Sequence, residues 1–245
     1  MEGAAGGGGV GGTMRLDSEL QRLLVGRCSD PMIPFGTSGV RLHREVIPPL
    51  EALVAAAAGE GIGLEVASGF REFDRQAKIW NEKARGERPL LDAAESPVDA
   101  SQLSPEQRVF ALLRWTALPG ASRHHWGTDL DVFDRSALSP GAEPLLERRE
   151  AEHGGTFARL HAWLDENLDR FGFFRPYDRD RGGVRPEPWH LSYAPVSRHL
   201  QEAFSLELLQ GVLGGTELEL KEVVLRHIET IYARYVDNVA TSSRA

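Results

Sequence analysis

A single cysteine, Cys28, stands in 245 residues. One thiol excludes an internal disulfide and a thiolate zinc cage, and an inert thiol is its default reading. Long apolar runs are also missing. None approaches the roughly 20 residues needed to cross a bilayer, so no membrane span is expected. Basic charge is outweighed: 28 Lys and Arg face 36 Asp and Glu, for a formal net charge of −8. That argues against a nucleic-acid partner gripped through its phosphates, which needs a basic face. The N-terminus lacks the basic and apolar regions of a secretory signal. As written, the chain is expected to be cytoplasmic; a periplasmic location would need a different start or export route.

What is present is concentrated in two places. Ser122-Arg123-His124-His125-Trp126-Gly127-Thr128-Asp129-Leu130-Asp131 holds two histidines, two carboxylates and a glycine within ten residues. Further on comes Glu187-Pro188-Trp189-His190. Together they supply the inventory of a catalytic zinc site: three protein ligands, an open position and a spare general base. His124 and Asp131 are seven apart. On one strand that is roughly 23 Å, and on one helix roughly 10 Å. Neither lets both reach a metal at about 2 Å. If both are ligands the chain must turn between them, and Gly127 is where it can. Asp129 lies two before Asp131 and shares its face on a strand, so either aspartate is available. His125 points away from His124 on an extended segment. Pro188 pushes Glu187 out of the helical region, and Trp189 to Tyr193 alternates as a strand. A glutamate near a metal but not bound to it can take a proton from water.

The pattern Ser-x-His-x-x-Gly-x-x-x-Asp followed by Glu-x-Trp-His, with Ser68-Gly69-Phe70-Arg71 and Gln76 upstream, resembles the VanY-type zinc D-alanyl-D-alanine carboxypeptidases. Their relatives include the VanX dipeptidases, L,D-carboxypeptidases, phage endolysin endopeptidases and the Hedgehog signalling domain. The resemblance runs from about Leu42 to Tyr193. It implies one Zn2+ held by His124, Asp131 and His190, with Glu187 as catalytic base and Arg71 stabilising the oxyanion. It implies Gln76 and Ser122 as substrate-binding residues lining the pocket, and a peptidoglycan-derived peptide as substrate, cleaved to release a terminal D-alanine. Rival readings are an L,D-carboxypeptidase, a D-Ala-D-Ala dipeptidase acting on cytoplasmic muropeptides or free dipeptide, and a zinc-binding module without turnover. A spare glutamate and an oxyanion arginine favour the enzyme.

The expected fold is α+β: a small, largely antiparallel sheet carrying the zinc site, flanked by helices, with a helical C-terminal extension. Residues 1–15 form a Gly-rich tail expected to be disordered, 16–196 the zinc carboxypeptidase-like domain, and 197–240 the extension. Within this frame Arg27 to Val40 reads as extended loop, and Gly86 to Gln102 as a tolerated insertion rather than a lid. Ser104-Pro105-Glu106-Gln107 reads as a capped helix start. Arg198 to Leu213 and Glu217 to Val239 read as two amphipathic helices that either pack back on the domain or form a homodimer contact. Arg175 to Arg185 reads as a solvated charged loop. His43, His153, His161, His199 and His227 lie outside any motif and are read as structural or exposed.

Overall fold

The computed structural model describes residues 18–37, 39–92 and 95–242; the Gly-rich tail lies outside them. In chain order the elements are α1 (Ser18–Leu24), β1 (Met32–Phe35), β2 (Val40–His43), α2 (Ile47–Gly59), β3 (Leu64–Ser68), α3 (Phe73–Ala84), β4 (Leu90–Leu91), β5 (Pro97–Val98), α4 (Pro105–Leu113), β6 (Asp129–Asp134), α5 (Arg148–Ala151), α6 (Ala158–Asn167), β7 (Phe173–Phe174) and β8 (His190–Tyr193), followed by α7 (Ala194–Ala203), α8 (Leu206–Gly214), α9 (Lys221–Arg226) and α10 (Ile228–Ile231).

One four-stranded antiparallel sheet, ordered β3-β6-β8-β7, organises the molecule. Its strands alternate in the way a two-faced sheet demands. Leu64, Val66, Leu130, Val132 and Leu191 share one cluster with Leu50 and Leu53 of α2 and Leu160 and Leu164 of α6. Leu130, Val132 and Leu191 are fully buried, worth roughly 1.5–3 kcal/mol each. The intervening residues Asp129, Asp131, His190 and Ser192 take the opposite face. The sheet register sets Asp131 opposite His190 and Asp129 opposite Ser192. A bulge between Val66 and Ser68 shifts the register so that Ser68 pairs with Asp131. That extra residue carries Ser68 onto the polar face.

Several sequence expectations change here. The stretch read as extended loop folds into the β1–β2 hairpin, and β4 and β5 form a second small hairpin inside the segment read as an insertion. Helix α4 starts as expected: Ser104 Oγ accepts from Gln107 N–H and Gln107 Oε1 accepts from Ser104 N–H, a reciprocal cap worth about 1 kcal/mol. It ends at Leu113.

The C-terminal region is four short helices and a π turn (Tyr232–Val236) instead of two long helices. These pack back on the rest. Leu209, Leu213, Val224, Ile228 and Ile231 share a core with Trp80 of α3, Val109 and Leu112 of α4, and Trp126. Among the described residues no helix is long and apolar enough to cross a membrane.

Candidate metal and active site

His124 sits in a 3-10 turn (Arg123–Trp126) that ends on Gly127, whose φ of 65° is left-handed. This is the turn that the spacing of His124 and Asp131 requires. A Cβ at Gly127 would lie 2.3 Å from Met32 Sδ and 2.9 Å from His43 N, so both conformation and space call for glycine. The turn brings His124 over β6, where Asp131 and His190 already face each other. The three residues offer ligand atoms all within 4.8 Å of one another, and all three are buried.

The tautomers are set from behind. His124 Nδ1 lies 3.0 Å from the Gly69 carbonyl, so Nδ1–H donates and Nε2 is left facing Asp131 Oδ2 at 3.5 Å. His190 Nε2 lies 3.0 Å from Asp129 Oδ1, which leaves Nδ1 facing Asp131 Oδ1 at 3.4 Å. A carbonyl and a carboxylate behind the two imidazoles are the partners that orient metal-binding histidines.

Asp129 and Asp131 now separate. Asp129 Oδ1 accepts from Arg123 Nε (2.7 Å) and His190, and Oδ2 accepts from Thr128 Oγ1 (2.8 Å) and Ser192 Oγ (3.0 Å). Both oxygens are consumed. Burial opposes its ionisation, yet Arg123 and His190 hold the carboxyl well below the usual range. Asp131 Oδ1 is buried with no hydrogen-bond partner. Burial raises the Asp131 carboxyl to about 6 against the pull of His190. A buried carboxylate set between two imidazole nitrogens, with one oxygen orphaned, is what a cation would satisfy. Burial would lower His190, but its bonds to Asp129 and Glu187 prevail and raise it to about 10, so the field at this point favours positive charge. His124, by contrast, is pushed well below its usual value by burial and by the nearby Arg71 charge, and stays a neutral donor.

Glu187 Oε2 lies 3.2 Å from His190 Nδ1, beside the point where the ligand atoms converge. Arg71 follows the end of β3. Its Nη1 donates to Gln76 Oε1 (2.8 Å), its Nη2 to Ser68 Oγ (3.3 Å), and its backbone N–H to His124 O (3.0 Å). These side chains meet in a cleft of about 330 Å³ lined also by Ser122, Tyr177, Trp189 and Lys83.

Gln76 is fully buried; its Oε1 accepts from Arg71 Nη1 and its Nε2 donates to Ala117 O at 2.7 Å. His125 is structural: Nδ1 contacts Arg71 O at 2.6 Å and Nε2 accepts from Gly120 N–H at 3.0 Å. None of His43, His153, His161, His199 or His227 joins a metal-capable group among the described residues. Three arginines of the 175–185 loop are ion-paired, Arg175 with Asp165 of α6, and Arg181 and Arg185 with Asp178 and Asp180 of the loop itself. Sequence reasoning missed the buried Arg123–Asp129–Ser192 network and Lys83. Asp129 carried one signal, its strand-face relation to Asp131.

A two-faced α+β scaffold holding a buried His/Asp/His group, a glutamate and an arginine in one cleft has the makings of a metal-assisted hydrolase. The chain belongs to the VanY family of D-alanyl-D-alanine carboxypeptidases, whose family model matches residues 39–196. It is 37% identical over 121 residues to an uncharacterized protein of Haemophilus influenzae, covering 49% of this chain and 92% of that one. It is 30% identical over 163 residues to a D-alanyl-D-alanine carboxypeptidase of Enterococcus faecalis, covering 65% of this chain and 51% of that one. The chain thus spans about half the length of the enterococcal relative. Among solved structures, VanYB in complex with D-alanine-D-alanine is 27% identical, with a TM-score of 0.48 over 79% of this chain and 87% of that one.

Proposed function

We propose that this chain is a zinc-dependent carboxypeptidase that hydrolyses cell-wall peptides, releasing the terminal D-alanine from D-Ala-D-Ala ends. Family membership sets the reaction class, and the Asp131 carboxylate carries the metal reading: its Oδ2 faces His124 Nε2, and its Oδ1, which has no hydrogen-bond partner, faces His190 Nδ1. Two nitrogens and one carboxylate, with no thiolate, match a catalytic zinc donor set with an open position. Zinc bound there would supply Lewis acidity to the scissile carbonyl and make a water deprotonable near neutral pH.

The chain's own groups account for the rest. Glu187 accepts the proton of the attacking water on its carboxylate and delivers it to the leaving amine nitrogen. Arg71, fixed by Gln76 and Ser68, presents a permanent positive charge to the oxygen on which negative charge develops. Ser122, on the cleft wall beside His124, contacts the bound peptide. Tyr177 and Trp189, both buried, narrow the cleft and exclude water.

The test is D-alanine release from a pentapeptide ending in D-Ala-D-Ala, using zinc-loaded protein beside its Glu187→Ala variant. Release by the wild type, its loss with a chelator and recovery with zinc, and at least a thousandfold loss in Glu187→Ala with zinc retained are expected. Cleavage only of a tetrapeptide would move the assignment to an L,D-carboxypeptidase, and cleavage only of free D-Ala-D-Ala to a dipeptidase. Stoichiometric zinc with no cleavage of any of the three would leave a binding module.

A further inference from the structure

Four cations line the cleft: Arg71, Lys83, Arg88 and Arg123. Three have engagements that explain their charge. Arg123 is bonded to Asp129, Arg88 to Glu82 at 2.6 Å, and Arg71 stands between the charges of Asp131 and Glu187. Lys83 differs. Its Nζ donates to Thr116 Oγ1 at 2.7 Å, and among the described residues no carboxylate lies within ion-pair distance of it. An ammonium has three N–H donors, and a neutral hydroxyl uses one without compensating the charge. Burial already presses the Lys83 amine below its usual value. The Glu187 charge acts on Lys83 only from beyond contact distance and is opposed by Arg88 and Arg71, so a partly buried cation opening on a substrate cleft has donors free for an anion that a ligand brings.

The position of Lys83 says which anion. Gln76 and Lys83 are seven positions apart on α3, so they share a helix face, separated by about 10 Å of rise. Gln76 holds Arg71 at one end, which is the oxyanion end of the cleft. The Thr116–Ala117 strip runs alongside and ties the two together, Ala117 O to Gln76 and Thr116 Oγ1 to Lys83. A helical side chain leans back toward the helix N-terminus, so the lysine stem returns its ammonium toward Arg71. One peptide residue advances about 3.8 Å. A substrate whose scissile carbonyl faces Arg71 therefore extends its last residue along α3 toward Lys83.

We propose that Lys83 is a specificity residue of this site, binding the C-terminal carboxylate of the peptide and so restricting cleavage to the last bond. The proposal rests on the carboxypeptidase reading for the direction in which the peptide lies. Thr116 positions the ammonium, and Arg88, held by Glu82, adds long-range positive charge without direct contact.

The test is binding, so that it does not depend on turnover. Zinc-loaded Glu187→Ala protein is titrated calorimetrically with an acetylated peptide ending in D-Ala-D-Ala, as free acid and as C-terminal carboxamide. The free acid is expected to bind at least about tenfold more tightly, the scale of one charge-assisted contact. Adding Lys83→Met should weaken the acid by about that factor and leave the carboxamide within about twofold, while Lys83→Arg should restore part of the preference. Equal weakening of acid and amide by Lys83→Met would reduce Lys83 to a brace for Thr116 and overturn the proposal, as would an undiminished acid preference in that variant or no binding of the acid by the parent protein. A peptide carrying a side-chain carboxylate and a C-terminal amide separates the two sources of anion: loss of its binding alone in Lys83→Met would overturn the C-terminal assignment. If the wild type releases no D-alanine while the Lys83-dependent acid preference persists, the proposed reaction fails and the carboxylate subsite stands.

Discussion

At the scale of single residues, the site depends on which carboxylate is left unsatisfied. Asp129 and Asp131 are chemically identical and share a strand face, so the sequence left both available. What separates them is the partner set brought by residues distant in the chain, Arg123, Ser192 and His190. Asp129→Asn keeps the shape but removes the charge that orients His190 and balances Arg123. Zinc affinity should fall about 10–100-fold, read by competition with a chromophoric chelator; an unchanged affinity would remove Asp129 from any role in holding His190. A second residue-scale consequence concerns pH. Burial lowers His125 to about 4 from an ordinary value near 6.5. The unfolded chain therefore takes up a proton that the folded chain refuses, and stability drops as pH falls from about 6.5 toward 4, by up to about 3 kcal/mol. His161, also lowered to about 4 by burial, acts in the same direction. The urea midpoint of metal-free protein should thus be lower at pH 5 than at pH 7, with a shallower dependence in His125→Gln. Equal slopes in the two proteins would exclude His125 as a source.

At the scale of elements, the strands that carry chemistry were legible and those that support them were not. Asp129–Asp134 and His190–Tyr193 alternate strongly, and Ser104 to Gln107 announces its cap. The β1–β2 hairpin hides in a stretch rich in Pro, Gly and Ser, because four-residue strands give too few alternations to register. The C-terminal helices were merged because apolar periodicity continues across a bend. Ser205, whose Oγ accepts from Leu208 N–H at 3.2 Å, was the readable sign of a new start. Lys83 was invisible for another reason: helical spacing places it in line with Gln76, but only Thr116, from another element, shows that the line faces the cleft. The turn at Gly127 is the element on which the site depends most. Gly127→Ala should lower stability by about 1–3 kcal/mol and weaken zinc binding together, since Met32 and His43 must move for the turn to persist. Thermal unfolding with and without zinc measures both; a variant with wild-type stability and affinity would mean that the turn is not strained as described.

At the scale of the whole molecule, the C-terminal helices belong to the site as well as to the core. Gln201 of α7 accepts from Arg123 Nη1 at 2.6 Å, and Leu209, Leu213 and Ile231 are fully buried in a cluster shared with Trp80 of α3. Ending the chain at Val196 would expose that face of α3 and α4, and the expected product is an insoluble or unfolded chain; a soluble fragment with wild-type zinc affinity would show that the earlier part stands alone. The alternation of β6 has one more consequence. Leu130 and Val132 face the core while Asp129 and Asp131 face the cleft, so a slip of one residue would exchange the two sets, sending carboxylates into hydrocarbon and leucine to the metal. The same pairing error that spoils the core erases the ion site. Zinc bound there would work as a checksum on the strand, and the fraction of a preparation that takes up metal would count the molecules whose sheet closed in the right register.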